Sequence, residues 1–585
     1  MPHGEMQLIA YGSQDIYLTG NPSITFFKFV YKKHTNFASE YIRQDFIKSS
    51  SFNTNSRSKL KCKIDRNGDL IHDIYLVYDL PNIYSGPQTE IDNKDHDIPF
   101  IPSYIGDISG EYFKWVNNLG ENIIHKVDIL IDGQILDEQY GIWLNIWNEL
   151  TIPKSKRHAY DTMIGNISPL NNPSLYYGNY NPNDTSIIPT IPSRRLYIPL
   201  PFWFCRNPGL AIPLIALQYN EIFINVEFNQ LNDLFTVGNP PISPDKIFDR
   251  NYLNNFGNNS YSNSFGINDN NVKLGESLSK DGYSSFDLFW KFVNSSNQNS
   301  ATWPQQTYLD VNYIFLDEDE RRKYAQINHE YLITQVQTSH FILNNVSESI
   351  KGSVNILNLL FQHPVKELIW VLRRNDAQHR NQWNNYTTSL YDYDFNDSKN
   401  NFQNNFRNPN IGLNSHHLNR IYMQENYIRG VANGFDSSGA RANTCLDGYL
   451  DQNDYYSRNS DSFNQFNNIM YNAKLMFNGN DRFLSKDNVF FNYLQPFKYH
   501  TSTPSPGVNV FSFALNPEDD QPSGTCNMSR IDLVQLEIAV RWLFHKNDSL
   551  CESVDINEGY ELYIFGVNYN ILRILGGMGG LVFSN

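Results

Sequence analysis

Hydrophobic positions along the chain follow two patterns that are typical of β-strands, and both recur over most of its length. Some runs alternate apolar and polar residues, and others are continuously apolar and rich in Ile, Val, Tyr and Phe. Asn, Asp, Gly and Pro bound these runs, as expected where strands end in turns. We therefore predict an all-β chain. The strongest predicted strands are residues 24–31, 70–80, 123–133, 221–228, 308–316, 366–374, 532–544 and 560–575.

Few segments have the 3.6-residue periodicity of a helix. The clearest is 137–150, where apolar side chains from Leu136 to Trp147 recur on one face. Residues 481–497 give a second predicted helix, and the charged segment 317–332 gives a third, which would connect two larger units. Helices are thus a minor part of the predicted fold.

Long polar stretches with little periodicity separate the predicted strands, at 165–193, 230–306 and 375–470. The longest of them exceeds the usual length of a loop inside one compact domain. Their Trp, Tyr and Phe content favours surface loops that pack on themselves or on a partner over disordered chain. We expect the rest of the chain to stay folded when a short Gly/Ser linker replaces residues 380–468.

Three pieces of the first half of the chain recur in the same order in the second half. The first piece is a strand, a glycine (Gly133 or Gly479), an acidic residue and an amphipathic aromatic helix. An ordered match of this kind indicates a duplicated structural unit. About eight predicted strands per copy indicate a jelly roll. The matching pairs are 127–150 with 473–497, 194–228 with 508–542, and 307–322 with 559–574.

Composition narrows the classes of protein that fit. The 585 residues include 46 Lys and Arg against 61 Asp and Glu, a net charge of −15. Proteins that coat nucleic acid usually carry a basic excess, so that class is excluded. With 14% aromatic and only 18% charged residues, the chain can bury large cores. It has no apolar run long enough for a membrane span, and its opening residues lack the pattern of a secretory signal, so we expect neither.

Candidate catalytic groups are few. The sequence has no GxSxG, no HExxH and no local Cys/His pattern. The acidic run 318–320 is followed at once by Arg321 and Arg322, which indicates a solvated helix start rather than an acid–base pair. The GGMGG run at 576–580 lacks the Lys-Ser/Thr of a phosphate-binding loop and predicts a tight backbone path. We predict no catalytic residue, no cofactor and no cofactor-binding residue.

The cysteines and histidines do not suggest a metal site. The cysteines are odd in number, thinly spread and without a CxxC pair, so we predict reduced thiols. His416 and His417 have only one thiol near them in the sequence, and no ligand spacing repeats. The five cysteines are Cys62, Cys205, Cys445, Cys526 and Cys551.

Two aromatic segments each have alternative interpretations. Prolines interrupt the segment 199–213, and its bulky side chains belong either to a core between sheets or to a contact with a neighbouring chain. Basic residues between Lys28 and His34 alternate with aromatic ones. They form either a polar strand face, an interchain ion pair, or a contact with nucleic acid or anionic lipid. The aromatic side chains concerned are Tyr197, just before the first segment, and Phe202, Trp203 and Phe204 within it.

Asn-x-Ser/Thr sequons occur about as often as chance predicts in so Asn-rich a chain, so their number carries no information. Asn385 and Asn396 rank first as glycosylation sites, because both lie in the 375–470 segment that we expect on an outer surface.

Six long segments, spread in order over nearly the whole chain, are similar to signature segments of one known family. They resemble the major capsid protein of nucleocytoplasmic large DNA viruses, and the length and Asn-rich insertions are most similar to mimivirus-like members. The segments are MQLIAYGSQDIYLTGNPSITFFKFVYKKHTNFASE at 6–40, IPLPFWFCRNPGLAIPLIALQY at 198–219, VNYIFLDEDERRKYAQINHEYLI at 311–333, HPVKELIWVLRR at 363–374, PSGTCNMSRID at 522–532 and VNYNILRILGGMGGLVFSN at 567–585.

The resemblance implies an all-β fold of two tandem eight-stranded jelly-roll β-sandwiches, a double jelly roll, with long loop insertions and a few short helices. The implied organisation is an N-terminal arm at 1–24, a first jelly roll at 25–316 with an insertion at 230–306, a helical linker at 317–332, and a second jelly roll at 333–585 with an insertion at 375–470.

It also implies a structural protein and not an enzyme: homotrimers would form pseudo-hexameric capsomers that tile an icosahedral shell. The implied partners are neighbouring capsomers, minor capsid proteins and an inner viral membrane, without sequence-specific binding to nucleic acid. The implied location is the virion capsid, assembled in the host cytoplasm. The abundant Tyr, Trp, Asn and Asp leave one alternative, a jelly-roll carbohydrate-binding protein or glycoside hydrolase. That alternative requires a pair of carboxylates roughly 5–10 Å apart in an aromatic cleft.

Overall fold

The computed structural model describes twelve stretches of the chain, and all structural statements below concern these residues. The described residues are 3–10, 12–47, 57–83, 112–171, 189, 191–238, 307–343, 353–375, 381, 383–387, 468–540 and 559–583.

The first half of the chain forms a sandwich of antiparallel sheets. One sheet has the strand order β1-β11-β3-β7, with β8 beside β3, and the facing sheet has the order β2-β9-β5-β6. The short strands β4 and β10 pair with each other. The strands are β1 (Phe37–Asp45), β2 (Ser58–Lys63), β3 (Leu70–Leu80), β4 (Tyr112–Trp115), β5 (Ile124–Ile131), β6 (Gln134–Tyr140), β7 (Arg194–Pro199), β8 (Ile212–Pro213), β9 (Ile222–Phe228), β10 (Phe235–Gly238) and β11 (Thr307–Leu316).

The second half forms another sandwich. Its sheets have the orders β12-β21-β14-β18, with β19 beside β14 and β22 beside β21, and β13-β20-β15-β16, with β17 beside β15. The strands are β12 (His329–Leu343), β13 (Ser353–Leu359), β14 (Pro364–Arg374), β15 (Met470–Phe477), β16 (Asn480–Asp481), β17 (Lys486–Asp487), β18 (Val508–Ser512), β19 (Cys526–Asn527), β20 (Val534–Val540), β21 (Tyr560–Leu575) and β22 (Met578–Leu581).

The two sandwiches repeat one topology, which confirms the predicted duplication. Replacing β1, β11, β3 and β7 by β12, β21, β14 and β18 reproduces the first sheet, including the short strand beside its third member. The facing sheets correspond in the same way, so each described sandwich has eight main strands in two four-stranded paths. The predicted all-β double jelly roll is therefore confirmed.

Equivalent β-hairpins join β5 to β6 in the first sandwich and β15 to β16 in the second. Asp132 and Gly133 have φ angles of 49° and 84°, and Asn478 and Gly479 have φ angles of 49° and 78°. Positive φ at both central residues defines a type I′ turn, whose twist matches that of the flanking strands. The Asp-Gly and Asn-Gly pairs therefore fix the start of β6 and of β16.

The described helices are short; the first two precede β1 and the others lie between strands. They are α1 (His3–Ile9), α2 (Ile16–Thr19), α3 (Leu119–Ile123), α4 (Gly141–Thr151), α5 (Lys154–Ile164), α6 (Ser168–Asn171), α7 (Trp203–Arg206), α8 (Glu318–Gln326) and α9 (Gln495–Tyr499), with 3-10 turns at Pro208–Leu210, Leu231–Asp233 and Met528–Arg530 and a π-helical turn at Phe490–Leu494. No helix among the described stretches is long and apolar enough to cross a membrane.

The predicted helices start or end in the wrong place. The first four residues of the predicted helix 137–150 belong to β6, because Gln134–Tyr140 pairs with β5 and α4 begins only at Gly141. In 317–332 the helix ends at Gln326, and the alternating residues from His329 onward join β12.

Two further predictions need correction. Segment 481–497 contains the end of β16, strand β17, the π-helical turn and only the start of α9, where Pro496 lies in the first turn. The predicted strand 24–31 is wrong, since this exposed segment pairs with no described strand and β1 begins at Phe37.

One hydrophobic core extends across both halves. The core of the first sandwich includes Val336, Val371, Val508 and Phe565 from the second sandwich. The opposite side of the same second-half sheet packs into a separate core around Trp370. The sheet β12-β21-β14-β18 is thus covered on one side by its own sandwich and on the other by the first.

Candidate functional site: the seam between the two sandwiches

The seam is the contact of β6, α4 and α7 with the outer side of the sheet β12-β21-β14-β18. Two tryptophans of α4 form its apolar centre. The Trp143 ring stacks on Trp147 at a centroid distance of 5.4 Å and lies 5.2 Å from the ring of Phe565. All three rings belong to the shared core. Burial of large aromatic side chains makes this contact a permanent part of the fold.

Backbone and hydroxyl hydrogen bonds secure the end of α4. The Ser502 amide donates to the Leu150 carbonyl at 2.9 Å. Glu149 accepts from the Ser505 amide at 2.8 Å and from the Ser505 hydroxyl at 3.0 Å. The loop between α9 and β18 therefore satisfies the carbonyl and carboxylate groups at the helix C-terminus.

The edge strands β6 and β12 meet through side chains rather than through a backbone ladder. The Val336 amide donates to Asp137 Oδ1 at 3.1 Å, and Gln335 Nε2 donates to the Leu136 carbonyl at 2.5 Å. Burial raises the pKa of Asp137 to about 6, although hydrogen bonds from Gln139 and Val336 favour its charged form. The contact thus blocks further strand addition at both edges.

A cluster of buried charges lies next to α4. His500 Nδ1 lies 2.9 Å from Glu518 Oε1, and His500 Nε2 lies 3.2 Å from Glu367 Oε2. Burial alone would lower the pKa of His500, but the two carboxylates outweigh burial and raise that pKa to about 9. The imidazole is therefore a cation at neutral pH, hydrogen-bonded to Glu518 through Nδ1 and within ion-pair distance of Glu367 at Nε2.

Lys366 and Arg206 bring two more cations to the seam. The Lys366 ammonium lies 5.9 Å from the Trp147 ring and 5.5 Å from the Tyr569 ring, and burial lowers the pKa of Lys366 to about 8. The Arg206 guanidinium lies 4.2 Å above the Trp147 ring. The faces of tryptophan rings attract cations, so these contacts partly compensate for the hydration that the buried Lys366 and Arg206 lose.

These contacts suit the alignment of the two sandwiches rather than a chemical reaction. The ion pairs of His500 lie within the second sandwich, whereas the hydrogen bonds of Val336 to Asp137 and of Ser505 to Glu149 cross between the two halves. An incorrect alignment of the sandwiches would leave these crossing groups buried without partners, at a cost of about 1–3 kcal/mol each. The crossing hydrogen bonds therefore favour one relative position of the two sandwiches.

The aromatic side chains of and just before segment 199–213 differ in burial. Phe202, Trp203 and Phe204 are buried in the core, as the first interpretation predicted. Tyr197 instead lies partly exposed on the outer side of β7. The Pro-rich stretch forms α7, a 3-10 turn and β8, which end the strand.

Three other predicted features have defined positions. Asp317 accepts a hydrogen bond from the Glu318 amide, and Glu318 pairs with Arg322, so the acidic run is a helix start as predicted. Gly576 and Gly577 have positive φ and form the predicted tight turn, between β21 and β22. The Lys28–His34 segment is exposed and is not a strand face, since no described strand pairs with it.

One of the two predicted glycosylation sites is a buried side chain. Asn385 is buried, and its amide oxygen accepts from the Thr387 amide at 3.1 Å and from the Thr387 hydroxyl at 2.7 Å. A glycan on Asn385 would have to be attached before this segment folds. Asn396 lies outside the described residues.

Among the described residues, no group of three or more His, Cys, Asp and Glu side chains could hold a metal ion. His416, His417, Cys445 and Cys551 lie outside that part of the chain. Cys62, Cys205 and Cys526 are free thiols. Burial raises the pKa of Cys62 to about 12, as expected for an unreactive thiol.

The buried charges of the seam were missed by the sequence analysis. One signal was available, because Lys366 and Glu367 interrupt a strand that is otherwise apolar from Val365 to Leu372. No local signal pairs Glu367 with His500, which lies in a loop more than a hundred residues later.

Comparisons with known proteins identify relatives of the whole chain. A family model described as "Major capsid protein N-terminus" matches residues 25–317. A second, described as "Large eukaryotic DNA virus major capsid protein", matches residues 320–580. The chain is 33% identical to the major capsid protein of Phaeocystis pouchetii virus and 29% identical to capsid protein 1 of Acanthamoeba polyphaga mimivirus, each over 100% of both chains.

Solved structures show the same architecture. A quasi-atomic model of the PBCV-1 virus capsid matches with a TM-score of 0.57 at 25% identity, over 96% of this chain and 100% of that one. The Faustovirus major capsid protein matches with a TM-score of 0.55 at 14% identity, over 97% of this chain and 94% of that one.

Proposed function

Because this chain belongs to the major capsid protein family of large eukaryotic DNA viruses, we propose that three copies of it form a pseudo-hexameric capsomer that tiles an icosahedral shell. The chain itself is a structural capsid protein of the virion and not an enzyme. The glycoside hydrolase alternative is set aside, because the relatives over the full chain are capsid proteins.

The repeated topology is the observation that supports the trimer. Each chain contributes two sandwiches with the same strand order, held together by the seam. Three such chains supply six similar blocks, so a threefold ring has nearly sixfold shape. Blocks of that shape pack on a flat hexagonal net, which is what a tiled shell requires.

The oligomeric state tests this proposal directly. At micromolar concentration in physiological salt, light scattering should give three times the chain mass of 67.9 kDa. Negative-stain images of the same sample should show a ring of six lobes. A monomer or dimer under these conditions would overturn the proposed capsomer.

Partners and assembly site follow from the same proposal. Neighbouring capsomers, minor capsid proteins and an inner viral membrane are the proposed contacts, and host cytoplasm is the proposed place of assembly. The net charge of −15 supports the absence of sequence-specific binding to nucleic acid. Glycosylation at Asn385 and Asn396 stays a prediction, to be checked by mass spectrometry of virion protein.

The domain boundaries also stay a proposal. We retain an arm at 1–24, jelly rolls at 25–316 and 333–585, and a linker at 317–332. In support, α8 occupies Glu318–Gln326 between β11 and β12, and it is the described helix that connects the two sandwiches. Limited proteolysis in or near α8 should give two fragments that remain associated through the seam.

A further inference from the structure

The second sandwich carries an exposed helical surface whose counterpart in the first sandwich is buried in the seam. The two helical segments correspond when Leu144 of α4 is matched to Phe491 of the π-helical turn, since each is buried in the core of its own sandwich. The same offset matches Trp147 to Leu494 and Leu150 to Phe497.

Exposure differs sharply between the matched residues. Trp147 is 4% exposed and Leu150 is 0% exposed, because the second sandwich covers them. Leu494 is 49% exposed and Phe497 is 86% exposed. At equivalent positions, large apolar side chains are thus buried in the first sandwich and exposed in the second.

Two more exposed leucines extend this surface. Leu484 lies between β16 and β17, the counterpart of the seam strand β6, and it is exposed. Leu515 follows β18 as α7 follows β7, and it is also exposed. We call Leu484, Leu494, Phe497 and Leu515 the apolar patch. Where exposed large apolar side chains form one surface, that surface marks an interaction site.

The fold also indicates which surface would cover the patch. In the seam, α4 packs on the outer side of β12-β21-β14-β18, where Val336, Ile369 and Val508 lie. The equivalent outer side of β1-β11-β3-β7 carries Tyr41, Tyr75 and Tyr197, which we call the tyrosine face. Strand pairing supports the correspondence of the two sheets, because β1 pairs with β11 as β12 pairs with β21.

The tyrosine face is open and fits the patch chemically. Tyr41 is 52% exposed, and its ring lies 6.1 Å from that of Tyr75. Asp73 and Asp310 lie near the Tyr41 hydroxyl, while the arginines of the face, Arg43 and Arg195, pair with Asp45 and Asp79. Exposed Lys486 and Lys498 flank the patch. Apolar rings meet apolar side chains, and acidic groups meet basic ones, in spite of the negative charge of the whole chain.

From this geometry we propose that the apolar patch of one copy docks on the tyrosine face of a second copy, repeating between chains the contact that the seam makes within one. The contact is head to tail, so three copies close a ring when each turns by a third of a circle. This inference rests on the proposed capsomer and names the surfaces that build it.

A complementation experiment tests the pairing of surfaces. The patch variant carries Leu494→Asp and Phe497→Asp, and the face variant carries Tyr41→Ser and Tyr197→Ser. Each alone should be monomeric by light scattering, with association weakened at least 100-fold. Mixed in equal amounts, they should form a dimer that grows no further, because one intact patch meets one intact face and the remaining two surfaces are both altered.

The matched control is Ile356→Asp on the edge strand β13, an exposed apolar residue outside the patch. It should leave the trimer intact. The patch variant and the face variant should melt within a few degrees of each other, since the changed side chains are largely exposed. If the mixture of the two variants stays monomeric, the two surfaces do not bind each other and the inference fails.

A zero-length carbodiimide cross-link on the wild-type protein provides a measurement that needs no variant. Lys486 or Lys498 should couple to Asp73 or Asp310 between chains. A wild-type monomer would overturn the capsomer itself. A trimer that persists in both variants, or gives none of these cross-links, would overturn only the assignment of surfaces.

Discussion

His500 is a cation held between two carboxylates inside the seam, with its side chain and that of Glu367 fully buried. Its raised pKa makes this contact depend on pH. The folded state holds the proton more tightly than the unfolded state, whose pKa is about 6.5. The stabilisation is therefore complete below pH 6.5 and is lost as pH rises through 9.

We expect the unfolding free energy to fall by about 1.5 kcal/mol more in the wild type than in His500→Gln between pH 6.5 and 8. Asp137, with a pKa raised to about 6, changes stability only below this pH window. Lys366, with a pKa lowered to about 8, changes stability mainly above it. Urea unfolding at several pH values measures the difference. His158→Gln, on the exposed side of α5, is the control and should follow the wild type. Equal pH slopes for His500→Gln and the wild type would contradict the expectation.

At the scale of elements, α4 must begin where β6 ends, and Gly141 makes this junction possible. A Cβ at Gly141 would lie 2.1 Å from the Ile124 carbonyl oxygen and 2.7 Å from that of Glu121. Neither atom can move without shifting α3 and β5. The close approach of backbone therefore requires glycine at the start of the helix.

Gly141→Ala should destabilise the protein by roughly 3 kcal/mol or more, since the clash is with backbone atoms. Gly133→Ala is the matched control. Gly133 has a φ of 84°, but its added Cβ would meet nothing within 4 Å, so the cost is only the backbone strain of about 1 kcal/mol. Thermal unfolding of the two variants should separate them by several degrees. Equal losses would show that the contact with Ile124 is relieved by relaxation.

The local pattern of apolar and polar residues was enough to predict most strands and helices, but not where they begin and end. The long strands from Leu70–Leu80 to Tyr560–Leu575 were predictable because their apolar runs are buried on one or both sides. The segment 24–31 has the same composition, yet no described strand pairs with it, and pairing is not encoded locally. The helix before Gly141 was overextended because residues of β6 happen to satisfy a helical period.

The seam escaped prediction for a similar reason. Trp147 could be assigned to an apolar helix face, but which sandwich covers that face depends on the packing of distant strands. The charges of Glu367 and His500 become informative only once the fold brings them together.

At the scale of the whole molecule, Asn381 and residues 383–387 join the second half to the first sandwich. Asn381 Nδ2 donates to the Phe235 carbonyl at 2.8 Å, and Trp383 Nε1 donates to the Asp233 carbonyl at 2.7 Å. Thr387 then pairs with Asn468 as an antiparallel bridge. The chain therefore leaves and re-enters this region at adjacent points.

Replacing residues 388–467 by a short Gly/Ser linker should leave both sandwiches folded, with a melting temperature within about 3 °C of the wild type, because closing a short loop between paired residues costs little. Replacing 380–468 is the matched comparison. It also removes the Asn381 and Trp383 contacts, so its melting temperature should be clearly lower. Scanning fluorimetry measures both. Unfolding of the shorter replacement would place essential core inside 388–467.

The pairing of β1 with β11 has a consequence for biosynthesis. Phe37 lies opposite Leu316, and β11 inserts between β1 and β3. At about 5–20 residues per second, a ribosome needs roughly 15 to 60 seconds to pass from one partner to the other. During that interval one edge of β3 stays open on the nascent chain, where it can recruit strands from other nascent chains. We therefore expect folding of this protein to benefit from chaperones that bind the nascent chain before β11 emerges from the ribosome.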